Sequence, residues 1–267
     1  MPGEQIIRLV FFFGILAVVA IWEVIVPRRQ LTDSKRRRWV TNLSLVVIDT
    51  AVVRIFLPVL PVGMAILSKQ RGWGMLNLIA LPTWIKIILT VIALDFVIYL
   101  QHVIFHFLPI FWRLHRMHHT DLDVDVTTGN RFHPIEILIS MGIKLASVSL
   151  IGAPAAAVTV FEVALNATSQ FNHGNIRIFH TLDGWLRLVV VTPDMHRVHH
   201  SIIPRETNSN FGFNLPWWDR LCGTYRDQPE GGHKEMTIGL KEFRDPAQLN
   251  LPRLLIQPFA RKSIYSP

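Results

Sequence analysis

Residues 91–119 read VIALDFVIYLQHVIFHFLPIFWRLHRMHH, and the reading of this stretch decides the fold. Its first half, apolar apart from Asp95, closes a run from about Leu81 to Leu100, long enough as a helix to cross a bilayer. Its second half carries His102 and His106, then His115, His118 and His119. Helical residues three or four apart share a side, so His102 and His106 face one way just beyond the apolar run. His115-Arg116-Met117-His118-His119 is an H-x-x-H-H pattern: its first and last rings share a side and the middle one sits nearby. The pattern returns as His196-Arg197-Val198-His199-His200. Imidazole is a preferred ligand for iron, zinc, copper and nickel. Eight such rings beside apolar helices predict a metal centre at a membrane face, with capacity for two ions.

Composition supports a membrane solvent. Of 267 residues, 50% are hydrophobic and 17% charged, against about a quarter charged in soluble domains. The apolar residues gather in runs from about Ile6 to Val26, Leu43 to Leu67, Leu81 to Leu100 and Ile135 to Phe171. Gly152-Ala153-Pro154 splits the last into a helical hairpin. No small-residue cleavage site precedes Pro27, so the first run is expected to stay as a membrane helix. The expectation is an all-α integral membrane bundle, one domain over 1–267, with about four transmembrane helices. Residues 1–192 would hold mainly membrane helices and the first two histidine clusters. Residues 193–267, rich in proline and glycine, would supply the third cluster and a cap. Two crossings of the hairpin return the chain to the face carrying the earlier histidines.

Charge sets an orientation. Arg28, Arg29, Lys35, Arg36, Arg37 and Arg38 follow the first run and read as a solvated, cytoplasmic loop. This places the metal site and cap on the cytosolic side, most simply of an inner (cytoplasmic) membrane. The net charge of +8 accompanies no nucleic-acid motif, so no nucleic-acid partner is expected. The single cysteine, Cys222, excludes an intrachain disulfide and a thiolate cluster, and reads as a small buried residue.

Other polar residues are read beside these clusters. Asp95, two helical turns before His102, is a candidate partner for a ligating ring, as is Asp194, which could instead cap a helix after Pro193. His133, before Pro134, could ligate, cap the next helix or support a ligand, with the supporting role preferred, while His180 and His233 read as ordinary polar residues. Asp49 and Arg54 suggest an interior pair or an interfacial position. Asp121, Asp123 and Asp125 resemble the start of a calcium loop, but Val126 and Phe132 replace its glycine and glutamate, which rejects it. Trp217 and Trp218 read as cap packing. The segment Leu251–Phe259, with basic neighbours Arg253, Arg261 and Lys262, suits either the membrane surface or the cap. Neither G-x-S-x-G nor H-E-x-x-H occurs.

The order of these motifs resembles the sterol desaturase and fatty acid hydroxylase superfamily, membrane enzymes with histidine-ligated di-iron sites. The resemblance rests on His102 through His119, Arg131-Phe132-His133-Pro134, Phe171-Asn172-His173-Gly174-Asn175, and Pro193 through His200. It extends to Asn210-Phe211-Gly212-Phe213 and Trp218 through Tyr225. It implies two iron ions, dioxygen as co-substrate and hydroxylation or desaturation of a sterol-like, fatty acyl or other membrane lipid. It also implies His173 as a ninth ligand, beside His102, His106, His115, His118, His119, His196, His199 and His200. No catalytic residue beyond the metal ligands is then needed. The chain has no Rossmann glycine fingerprint and no cysteine-ligated cluster, so electrons would come from a separate reductase, ferredoxin or cytochrome. The ligands alone also permit a zinc-dependent membrane hydrolase or a non-enzymatic metal transporter.

Overall fold

The computed structural model describes residues 2–260; Arg261 and Lys262 lie outside them. It is all-helical, with no strand among the described residues. In chain order α1 (Pro2–Ile25), α2 (Lys35–Phe56), α3 (Pro61–Arg71), α4 (Met75–Leu78) and α5 (Thr83–Phe107) come first. Then follow α6 (Pro109–His119), α7 (Pro134–Ile151) and α8 (Ala155–Asn172). The cap contains α9 (His180–Leu186), α10 (Pro193–His199), α11 (Pro204–Thr207), α12 (Trp217–Leu221), α13 (Gly232–Glu235) and α14 (Leu251–Ile256).

Among the described residues, four stretches are long and apolar enough to cross a membrane: Gly3–Ile25, Lys35–Leu78, Thr83–Phe107 and Pro134–Ile151. Their outer faces carry exposed Phe11, Phe13, Val24, Val47, Ile55 and Trp84, as lipid contact requires. The chain is thus a multi-pass membrane protein. The run from Leu43 to Leu67 is not one rod: Pro58 and Pro61 break it, because proline cannot donate within a helix and bars the helical conformation before it. The hairpin forms as expected, α7 ending at Gly152 in the left-handed region, φ 71°. Its second arm, α8, lies inside, where Val158 and Phe161 pack with Val62 and Ala65 of α3, Leu94 and Ile98 of α5 and Val148 of α7.

Buried charges pin these layers together. Arg38, in the first turn of α2, gives Nε and Nη2 to Asp121 at 2.7 and 2.9 Å and Nη1 to Asp125 at 2.6 Å. Asp123 accepts from the backbone N–H groups of Thr32 and Asp33. The three aspartates therefore clasp the start of α2, and Arg38 is not part of a solvated basic face. Burial pushes the Asp121 carboxyl up, but Arg38 and Arg131 outweigh it and bring it down to about 2. Within the bundle Glu162 of α8 meets Arg8 of α1 at 3.1 Å and Lys144 of α7 at 3.5 Å. The interior pair considered for Asp49 and Arg54 does not form: Asp49 is buried and Arg54 exposed.

Asp95 corrects another expectation. Its carboxylate accepts from Asn214 Nδ2 at 2.7 Å, Trp218 Nε1 at 2.8 Å and the Leu215 N–H at 3.2 Å, so it anchors the cap on α5 rather than orienting a histidine. Trp217 gives its indole N–H to the Leu188 carbonyl, in keeping with a packing role for both tryptophans. Cys222 is exposed, not buried, because it follows α12 where the chain turns at Gly223. Leu254 of α14 is buried with Leu45, Met117 and Leu249, while Ile256 and Phe259 point outward, so this segment joins cap packing to an exposed apolar edge.

Candidate metal centre

The nine candidate histidines come from four places. His102 and His106 end α5; Pro109 then starts α6, which turns His115, His118 and His119 back toward them. His173 caps the C-terminus of α8, and α10 with its cap residue brings His196, His199 and His200. All nine are buried. They form two groups, His102, His106, His115, His119 and His199, and His118, His173, His196 and His200, within each of which the candidate ligand atoms lie within 4.8 Å of one another. The groups are neighbours: the His119 and His200 rings stack at 4.7 Å and His196 and His199 at 5.0 Å. Each H-x-x-H-H motif serves both groups, its i and i+4 rings entering one and its middle ring the other.

Oxygen atoms fix most of the rings. The Nδ1 atoms of His102, His173 and His199 lie 2.7, 2.7 and 2.8 Å from the carbonyls of Phe211, Ser169 and Ser209. His118 Nδ1 reaches the Arg131 carbonyl at 3.2 Å, His106 Nδ1 reaches Asn208 Oδ1 at 3.2 Å, and His115 Nδ1 reaches Glu136 Oε1 at 2.6 Å. Such oxygens accept, so Nδ1 carries the proton and Nε2 keeps its lone pair. Two close approaches shape this scaffold. A Cβ on Gly212 would meet Asp219 Oδ2 and the Leu215 carbonyl at 2.9 Å, and one on Gly129 would meet the Ser169 carbonyl at 2.5 Å.

These lone pairs provide a test of metal fit. His102 Nε2 stands 3.1 Å from His115 Nε2, and His118 Nε2 stands 3.1 Å from His173 Nε2. With both Nδ1 atoms protonated, neither pair has a proton to share, and facing lone pairs repel. A cation resolves this, and the spacing suits two nitrogens each about 2.1 Å from one first-row ion. Further buried nitrogens, including His106 Nε2, His199 Nε2 and both nitrogens of His119 and His200, have no hydrogen-bond partner among the described residues. Burial pushes His115 down to about 3 and His173 to about 4, and drives His118, His119, His196, His199 and His200 well below the usual imidazole range. Neighbouring imidazoles lower the last five further. The rings are thus held neutral, the form that binds metal. The donor set of each group fits a metal ion.

Asp194 takes neither role read for it, and His133 takes the capping role rather than the preferred ligand-supporting one. Asp194 neither caps α10 nor touches a cluster ring: Thr192 is the cap, and Asp194 pairs with Arg28 at 2.9 Å and with Arg197. His133 caps α7 through the Ile135 N–H, its Nε2 meeting the Leu255 carbonyl at 3.1 Å. The sequence reading missed Glu136. Its signal was a lone carboxylate in the first turn of an apolar helix, directly after His133-Pro134. Asn208 and the carbonyls of Ser209 and Phe211 were also missed; they lie on one loop that Asp219 holds through the N–H groups of Phe211 and Gly212.

Fold and centre together define a histidine-rich multi-pass membrane protein with two adjacent groups of buried imidazoles suited to binding metal. The chain belongs to the fatty acid hydroxylase family, whose model matches residues 87–224, just over half the chain, and so to the wider superfamily shared with sterol desaturases. It is 29% identical over 181 residues to an ornithine lipid hydroxylase from Rhizobium tropici, covering 68% of this chain and 52% of that protein. It is 29% identical over 199 residues to an alkylglycerol monooxygenase from Xenopus tropicalis, covering 73% of this chain and 43% of that protein. A fatty acid hydroxylase from Lecanicillium sp is 27% identical over 245 residues, 86% of this chain and 62% of that protein. The chain thus spans about half the length of the first two relatives. No solved structure matches it.

Proposed function

We propose that this protein is an oxygen-dependent lipid oxidoreductase, a hydroxylase of a membrane lipid, whose nine histidines hold two iron ions. The observation that carries the reading is the pair of facing Nε2 lone pairs at 3.1 Å inside two adjacent groups of buried imidazoles, in a member of a lipid-hydroxylating family. His102, His106, His115, His119 and His199 would hold one iron, and His118, His173, His196 and His200 the other. When bound, the two irons supply activation of dioxygen and removal of hydrogen from an unactivated carbon, with electrons delivered by a separate reductase, ferredoxin or cytochrome.

The protein's own groups do the positioning. Glu136, Asn208 and the carbonyls of Ser169, Ser209, Phe211 and Arg131 keep six rings in the ligating tautomer. Phe132 stacks on His118 at 4.8 Å, Trp112 lies 4.9 Å from His106 and Phe213 5.1 Å from His102, giving the centre apolar walls that exclude water. Hydroxylation is preferred to desaturation because the relatives are named hydroxylases and monooxygenases. The two parts of the chain contribute to both groups, which supports one functional domain over 1–267. The basic segment after α1 supports a cytoplasmic placement of the centre at an inner membrane.

The test is turnover of extracted membrane lipids by the purified protein with a reducing system under isotopically labelled dioxygen. The proposal expects one labelled oxygen atom in the lipid product and no turnover without dioxygen. Equal turnover under anaerobic conditions would favour the zinc hydrolase reading instead.

A further inference from the structure

A cavity lies away from the histidines, where α1 leaves the apolar layer. It has a volume of about 650 Å³ and is lined by Arg28, Arg29, Arg177, Lys234 and Arg244, with Glu235 the one lining carboxylate. Arg28 is already neutralised by Asp194. Arg29 gives Nη1 to the Met236 carbonyl at 2.9 Å, while its buried Nε has no hydrogen-bond partner among the described residues. Among the described residues, Arg177, Lys234 and Arg244 are in no ion pair. Like charges converging on a concavity repel one another unless an anion joins them, and the arginine fork matches phosphate oxygens. The volume suits a small group rather than a protein surface.

The position points to where such a group comes from. Pro27, two residues past the end of α1, lines the cavity and bridges to Ile176, the neighbour of Arg177. Exposed apolar side chains flank this bridge: Val24 and Ile25 at the end of α1 on one side, Phe179, Leu182 and Trp185 just beyond the other. An exposed tryptophan beside cations at the end of an apolar helix marks the headgroup level of a bilayer.

We propose that this cavity binds a phosphate-bearing anion, the headgroup of an anionic membrane lipid whose tails lie along the exposed face of α1. The site shares no residue with the histidine centre, so it stands or falls apart from the assignment of activity. The experiment adds phosphatidylglycerol, phosphatidylcholine or inorganic phosphate to the full chain in detergent and reads the thermal unfolding midpoint and lipid retained in native mass spectrometry. The expected result is a rise in midpoint with phosphatidylglycerol and none with phosphatidylcholine. In Arg177→Gln/Lys234→Gln, whose native side chains make no hydrogen bonds among the described residues, retention should weaken about tenfold. Arg36→Gln, an exposed cation outside the cavity, should bind as the wild type does. A response to inorganic phosphate equal to that for phosphatidylglycerol would support phosphate recognition but assign it to a soluble ester. Unchanged phosphatidylglycerol binding in the double variant, or equal weakening in Arg36→Gln, would overturn the proposal.

Discussion

The two histidine groups are built from similar motifs but supported from different parts of the molecule. In the five-membered group, four rings are oriented through Nδ1, three of them by the cap loop carrying Asn208, Ser209 and Phe211 and one by Glu136 of α7. In the four-membered group only His118 and His173 are so held, by the Arg131 and Ser169 carbonyls on the membrane half. Both groups take rings from the cap helix α10, but ring orientation in the first rests mainly on the cap loop, and in the second on α8 and the loop before α7. A bound ion should be held more loosely where fewer rings are fixed in advance.

The largest expected break in this contrast is Glu136→Ala, which frees the His115 ring. Affinity of the five-membered group for iron should fall about 10- to 100-fold, with the other group unchanged, as read by metal titration. Gly212→Ala and Gly129→Ala form a matched pair, since each Cβ meets fixed atoms beside one group. Each should cost about 1–3 kcal/mol of stability, Gly212→Ala loosening the five-membered site and Gly129→Ala the four-membered one. Loss of the same ion in both would remove the proposed division of support.

Asp95→Ala sharpens the comparison from the opposite direction. Breaking the anchor to Asn214, Leu215 and Trp218 should cost about 2 kcal/mol or more, seen in thermal unfolding, while full metal content is retained at low temperature. The smallest effect concerns His233 in the cap. Burial lowers its pKa to about 3, with nearby Asp194 opposing. A ring neutral when folded but protonated above that value when unfolded stabilises the fold above about pH 6.5. That contribution is lost progressively as pH falls toward 3. His233→Gln should therefore flatten the decline of stability between pH 7 and 5.

Much of the centre could be read from spacing because helices impose it. His102 and His106, or His115 and His119, share a side wherever the helix goes, and Gly152 with Pro154 announces a hairpin that returns His173 to the same end. The interleaving of the two H-x-x-H-H motifs could not be read, because it depends on how α6 crosses α10. Glu136 was hidden for a similar reason: it is 21 residues from His115, and only the fold brings them to 2.6 Å. Asp95 misled because helical register puts it on the side of His102, while the cap loop reaches down and takes its carboxylate first. Arg38 looked like one more solvated cation until the fold placed three aspartates around it.

The central claim is that nine imidazoles hold two separate ions, one in each group. Quantifying iron in the purified wild type, His199→Ala and His118→Ala by elemental analysis tests it most directly. The account predicts two irons per chain in the wild type and about one in each variant, the survivor lying in the untouched group. Full iron content in both variants, or a wild type that binds no iron when reconstituted, would contradict it.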